Sequence, residues 1–216
     1  MSDFDKCPNC NAEIKSNFLK SNELISENKT SIINEYSEKP SKAYCNKCGA
    51  DLYQKSRAKL ENEKEEVRSR MKKLLNVIPV ITVQSPLNWD YKILEMVTGQ
   101  STTGTGVISE FTSSFTDMIG GQSGRHNQKI RNGEEMCINQ LRIQALNLGG
   151  NAVIATDIDY SEVGAGKGML MVCMSVTAIV LNNIKILGEG KESNLKELKK
   201  YKTRLKKLNS FVIDPY

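Results

Sequence analysis

The chain has 216 residues, of which 39% are hydrophobic and 25% charged, and its formal net charge is +5. That balance excludes a globally disordered or fibrous chain and gives enough length for one large or two small domains. Aromatic residues make only 6%, so a core must lean on Ile, Leu, Val and Met.

The N-terminal "MSDFDKCPNC" has no basic start and no apolar stretch, and does not read as a secretory signal. Residues 1–53 are polar and carry two cysteine pairs, Cys7 with Cys10 and Cys45 with Cys48, in the pattern C-x2-C-x34-C-x2-C. Two such pairs are the ligand set of a four-thiolate zinc site. A two-residue spacing lets one tight turn aim both sulfurs at one ion. The residue after the second cysteine is expected in the left-handed region, which Gly49 enters freely and Asn11 tolerates. The pattern predicts a zinc-ribbon-like module with Zn2+ as its cofactor. Its spacer exceeds the usual ~15–20 residues, which implies an insertion between the knuckles. A redox C-x-x-C pair normally opens a helix, and neither pair is expected to do so. A closed four-thiolate site has no open position, so its role is structural. Free thiols in this number imply a reducing, cytoplasmic setting.

Residues 54–78 read as a helical linker, with the helix over 54–76. They lack Gly before Pro79, and Leu60, Val67 and Leu74 recur every seven residues. Lys64 and Met71 fall between them, giving a narrow 4-3-4-3 seam with a lysine in it.

Residues 79–184 form the expected compact core. "PVITVQS" and "YKILEMVTGQS" predict strands. "EFTSSFTDMIGG" predicts a short helix or turn. A long helix is predicted from about Gln128 to Leu148, with Ile130, Cys137, Leu141, Ala145 and Leu148 on one face. "NAVIATDIDYSEVG" and "GMLMVCMSVTAIVL" predict two strands joined through "GAGKG". The apolar run "MLMVCMSVTAIVL" is too short for the ~20 residues of a membrane-spanning helix. It is apolar at odd and even positions alike. A helix covers one side; the other needs a second surface, and a partner subunit is the simplest source.

Residues 185–216 hold a basic amphipathic helix and tail. Leu195, Leu198, Tyr201, Leu205 and Leu208 step by three and four. Eight basic and three acidic side chains between Glu189 and Lys207 account for the whole net charge. The helix can pair with helix 54–76, bind a nucleic acid or other polyanion, or lie on an anionic membrane; the narrow Leu/Tyr seam favours pairing.

Within the core, Gly121, Ser123, Gly124 and Arg125 of "GGQSGRHNQ" precede the predicted helix, where free N–H groups suit an anion. Glycines there also serve simply as a bend. Asp157 and Asp159 share one face of a strand; they suit a hard cation, though a polar strand face is the commoner role. Cys137 and Cys173, with His126, compose a soft-metal set if they meet across the helix–strand interface. Burial in the core is the commoner fate of a lone cysteine. No nucleophile has a base beside it in the pattern.

The segments "YKILEMVTGQ", "DMIGGQSGRHNQKIRNGEE", "ALNLGGNAVIATDIDY" and "GMLMVCMSVTAIVL" resemble, in that order, the YbjQ family over residues 79–181. One family glycine is absent at Ser175-Val176-Thr177-Ala178. The resemblance implies an α+β subunit, an antiparallel sheet packed on one long helix, similar to dodecin-type folds. It also implies a pentameric ring and a heavy-metal-binding label. With the cysteine module it points to a non-enzymatic, zinc-containing, ring-forming binding or scaffold protein. The other readings are a nucleic-acid-associated protein using the ribbon and basic helix, and a small-anion sensor or enzyme at the Gly-rich loop.

Overall fold

The structure, a computed structural model, describes residues 4–14, 22–102, 122–163 and 169–214, with α3 side chains from 127 onward. Four helices and three strands follow in chain order: α1 (Glu27–Tyr36), α2 (Asn46–Leu74), β1 (Tyr91–Thr102), α3 (Gln122–Asn147), β2 (Ala152–Val163), β3 (Met169–Leu181) and α4 (Lys191–Asn209). The chain divides into two compact units. One joins Met1–Lys72 to Leu198–Tyr216; the other is Lys73–Glu197.

The Lys73–Glu197 unit is α+β. Its sheet runs β1-β3-β2 with antiparallel neighbours. Alternation turns Val172, Met174, Val176 and Ala178 of β3 to one side, where Cys137, Leu141 and Ala145 of α3 meet them. Removing each such branched side chain from water contributes ~1.5–3 kcal/mol. The predicted helical face holds over these three residues, while Ile130 is half-buried and Leu148 is 41% exposed. The helix stops where Gly149 turns left-handed at φ 89 and the Gly150 amide returns to the Ala145 carbonyl.

Two strand expectations change. "PVITVQS" gives no strand of its own. Pro79, Ile81 and Val83 hydrogen-bond along β2, with a single parallel bridge from Val80 to Val153. β2 is bulged beside this segment: Ala155 takes φ 56 and the register to β3 shifts between Ile154 and Asp157. The second side of β3 is also covered in part by the chain itself. Ile179 and Leu181 are buried against Ile81, Trp89 and Tyr91. Cys173, Ser175 and Thr177 remain half-buried, so one end of the strand carries the demand for a further surface.

The other unit is helical around the cysteine module. Ile32 and Ile33 of α1, Tyr53, Leu60 and Val67 of α2, and Leu208 of α4 share one core, with Tyr201, Leu205, Phe211 and Ile213 packed on it. The seven-residue seam of α2 is thus occupied, and Lys64 within it is only 8% exposed. α2 begins at Asn46 rather than near residue 54, directly after Cys45. Of the three roles open to the basic helix, pairing with α2 is the one this packing displays. The turn expected at 110–121 and the "GAGKG" hairpin at 164–168 lie outside the described residues.

Candidate metal centre

Each cysteine pair is set by its own local chemistry. Around the first, Lys6 bridges Glu13, the Ile14 amide reaches the Asp5 carbonyl, and the Cys7 amide reaches the Ala12 carbonyl at 2.8 Å. This narrow ribbon is turned by "CPNC", and Asn11 takes φ 59 as the spacing predicts. Around the second, Leu24 bridges Cys45, the Ile25 amide reaches the Tyr44 carbonyl, and the Asn46 amide reaches the Glu23 carbonyl.

Gly49 has a different reason from the expected one. It lies inside α2, not in the left-handed region. A Cβ there would sit 2.9 Å from Ile25 Cδ1 and 3.0 Å from Tyr44 Cβ. Close packing, not backbone freedom, favours glycine. The expectation that neither pair opens a helix is likewise overturned for Cys45 and Cys48, which stand at the N-terminal turn of α2. No βαβ setting accompanies them.

The four sulfurs converge. Cys7 Sγ is 3.7 Å from Cys48 Sγ, Cys10 Sγ is 3.7 Å from Cys45 Sγ, and Cys45 Sγ is 3.8 Å from Cys48 Sγ. All four lie within 4.8 Å of one another, and all are free thiols. A tetrahedron with zinc–sulfur bonds of ~2.3 Å has an edge of about 3.8 Å. The donor set therefore fits a soft, tetrahedral ion. Cys7 and Cys45 are buried, Cys48 is half-buried and Cys10 is exposed.

The electrostatics say what the set lacks. Burial opposes ionisation of Cys45, but hydrogen bonds from the Cys48 and Lys47 backbone and from neighbouring thiols outweigh it and draw the group down to about 6. Burial pushes Cys48 up. The Ala12 amide favours the Cys10 thiolate, yet desolvation and the other three sulfurs drive it up to about 12. Four thiols this close cannot all ionise without a compensating cation. A bound ion supplies that charge.

The other sequence candidates do not gather in this way. Gly121 lies outside the described residues, and Ser123, Gly124 and Arg125 fall within α3 rather than before it, their side chains undescribed like that of His126. Cys137 and Cys173 do not meet as ligands. Cys137 is fully buried on the helix side, its thiol donating to the Val172 carbonyl at 3.3 Å. Cys173 alternates to the opposite sheet face, in register with Gln100 and Asp159. Asp157 and Asp159 do share that face, as predicted, beside Thr98 and Ser175 in a small cavity of about 130 Å³. Among the described residues, the four cysteines are the one group of three or more Cys, His, Asp or Glu side chains that converge on a common point.

Residues 79–182 match the model of a family described as "Putative heavy-metal-binding". Over 105 residues the chain is 36% identical to a UPF0145 protein of Listeria grayi, an alignment spanning 47% of this chain and 99% of that one. The chain belongs to this YbjQ/UPF0145 family. A crystal structure from Pediococcus pentosaceus ATCC 25745, of a protein with unknown function placed in the DUF74 family, aligns with a TM-score of 0.35 at 16% identity over 49% of this chain and 98% of that one. The YbjQ segment excludes all four converging cysteines. The family label and the metal-like geometry therefore belong to different stretches of the chain.

Sequence reasoning singled out the four cysteines whose sulfurs converge but missed their support. Ile25 and Tyr44 wall Gly49, and the Asn9 side chain hydrogen-bonds toward Cys48. Asn9 sits inside the quoted "CPNC", where a polar residue facing a sulfur was the available signal. No described helix is long and apolar enough to cross a membrane.

Proposed function

We propose that this chain is a non-enzymatic, zinc-containing binding or scaffold protein, in which Cys7, Cys10, Cys45 and Cys48 hold one structural Zn2+. The sulfur separations near a tetrahedral edge carry this reading. Four thiolates leave no position for substrate. The ion instead joins the two knuckles, the second of which leads into α2. In the same proposal the YbjQ segment assembles copies of the chain into a pentameric ring, in a reducing, cytoplasmic setting. Half-buried Cys173, Ser175 and Thr177 on the sheet face and the family membership support an assembly role for residues 79–184.

Elemental analysis of the purified full chain tests the metal. One zinc per chain is expected, lost in Cys7→Ser and Cys45→Ser and kept in Cys137→Ser and Cys173→Ser. Zinc retained by both ligand-pair variants would sink the assignment. Native mass spectrometry of the same sample tests the ring; a monomer at micromolar concentration rules it out.

A second reading is polyanion binding by α4, a nucleic acid being the natural partner. Lys199, Lys200 and Lys206 are exposed, whereas Arg204 and Lys207 are engaged by carboxylates. Burial, with Lys206 and Lys199 nearby, holds Lys202 below its ordinary value, so an arriving phosphate relieves crowded positive charge. Binding is expected to weaken steeply with salt and to fall in a Lys199→Glu/Lys206→Glu chain. Equal binding by that variant removes α4 as the contact.

A further inference from the structure

The last described residues of the chain return to the cysteine module. Asp214 accepts hydrogen bonds from the Ser26 hydroxyl and, at 2.7 Å, from Asn28 Nδ2. Ser26 is the N-cap of α1, its oxygen accepting from the Lys29 amide at 3.2 Å. The residues just before that cap, Glu23 to Ile25, are the segment paired with Tyr44, Cys45 and Asn46. A second path runs through the core. Phe211 and Ile213 pack on the cluster that also receives the Cys48 side chain. Both routes start at the tail and end at the second knuckle, one at the backbone pairing of Cys45 and the other at the Cys48 side chain.

We infer that Asp214 is a positioning residue for the metal centre. The C-terminal tail latches the α1 cap and, through it, the paired segment that presents Cys45. The inference rests on the four cysteines holding a metal. Because a structural metal site is assembled by folding, ion affinity includes the cost of ordering its supports. A support already held by the tail lowers that cost. The coupling is reciprocal: whatever the latch adds to metal affinity, the metal adds to latching. Metal loss therefore loosens residues 210–214 and weakens the hold on the C-terminal half of α4.

The test uses full-length chain carrying zinc. Competition with a chromophoric chelator is measured for wild type, Asp214→Ala, Asp214→Asn and the control Glu192→Ala, which removes an exposed α4 pair with Lys196. The expected result is a rise of about three- to tenfold in apparent zinc Kd for Asp214→Ala, in line with loss of a helix-cap network. Asp214→Asn, which keeps an acceptor, should fall between, and Glu192→Ala should match wild type. Amide exchange of residues 210–214 supplies the reverse reading: faster in zinc-stripped wild type than in the loaded form. Unchanged affinity in Asp214→Ala together with metal-independent exchange of the tail overturns the latch while leaving the zinc site intact. A wild-type chain that takes up no zinc overturns both.

Discussion

Arg204 of α4 grips Glu63 of α2 with two parallel hydrogen bonds, Nε to Oε1 at 2.6 Å and Nη2 to Oε2 at 2.7 Å. Its Nη1 also reaches Glu35 of α1, at 2.5 Å, so one guanidinium ties three helices. Only a planar fork meets this geometry. Arg204→Ala is expected to destabilise the helical unit by ~1–3 kcal/mol, and Arg204→Lys to recover little of it. Urea unfolding followed at a probe in α1 checks both.

Acid should act on the same cluster. Burial alone would raise Glu35, but hydrogen bonds to Lys207 and Arg204 hold it below its ordinary 4.5. Glu63 is held below 4.5 chiefly by its hydrogen bond to Arg204. A carboxylate depressed in the folded state stabilises it above the unfolded value and loses that contribution as pH falls through the folded one. The melting temperature should therefore hold from pH 7 to 5 and decline below 4.5. Acid also protonates the thiolates of the proposed metal site, so the cluster's part is the difference between wild type and Glu63→Gln. An identical acid limb in the two proteins would remove Glu63 from the account.

Thiol labelling should sort the six cysteines. Burial, with Cys173 adding to it, pushes the Cys137 thiol up to about 11, and Cys137 is fully buried. Thiolates react and neutral buried thiols do not. In zinc-loaded, folded single chains, half-buried Cys173 is expected to be the one prompt reactor toward a disulfide reagent, and in the proposed ring it is expected to be shielded by the neighbouring copy. Chelation should add the four knuckle thiols, and denaturant the sixth. A prompt thiol that persists in Cys173→Ser contradicts this order.

Gly99 of β1 touches α3 backbone. A Cβ there would lie 2.8 Å from the Cys137 carbonyl oxygen and 3.1 Å from its Cα. Helix backbone cannot rotate aside as a side chain can, so Gly99→Ala should cost ~1–3 kcal/mol. Chemical denaturation of the full chain measures it.

Lys64 is the odd member of the α2 seam. Its ammonium finds Glu61 at 3.6 Å while its stem lies among Leu60, Val67 and their partners. Replacing a nearly buried cation by an apolar chain of similar length is often neutral or stabilising. Lys64→Met should raise the unfolding midpoint or leave it unchanged, and a clear drop would show that the ion pair carries the site.

Much of this was legible in residue order. Four cysteines at two-residue spacing, the seven-residue seam of α2 and the 3.6-period face of α3 are local or periodic signals, and each survives into the fold. What escaped depends on partners distant in sequence. Gly49 is favoured by the close approach of Ile25 and Tyr44. The side of β3 near Ile179 is covered by Trp89 and Tyr91. "PVITV" has strand composition, but it makes one bridge and a few hydrogen bonds to β2 rather than a strand of its own. Cys137 and Cys173 had the option of meeting across the helix–strand interface, but strand alternation turns Cys173 to the opposite face. Asp214 carried no signal at all, since a carboxylate near a chain end acquires meaning only when Ser26 and Asn28 are brought beneath it.

Two side chains limit how the sheet can grow. Gln140 of α3 accepts from the Gln100 amide at 2.9 Å and donates back to the Gln100 carbonyl at 3.0 Å, while Gln144 donates to the Thr98 carbonyl. A carboxamide there imitates one residue of a neighbouring strand. Among the described residues β1 is a border strand of the sheet, and such borders invite other chains to stack. With its middle already stoppered from within, this border cannot accept a foreign strand across Thr98 and Gln100 until two glutamines are expelled.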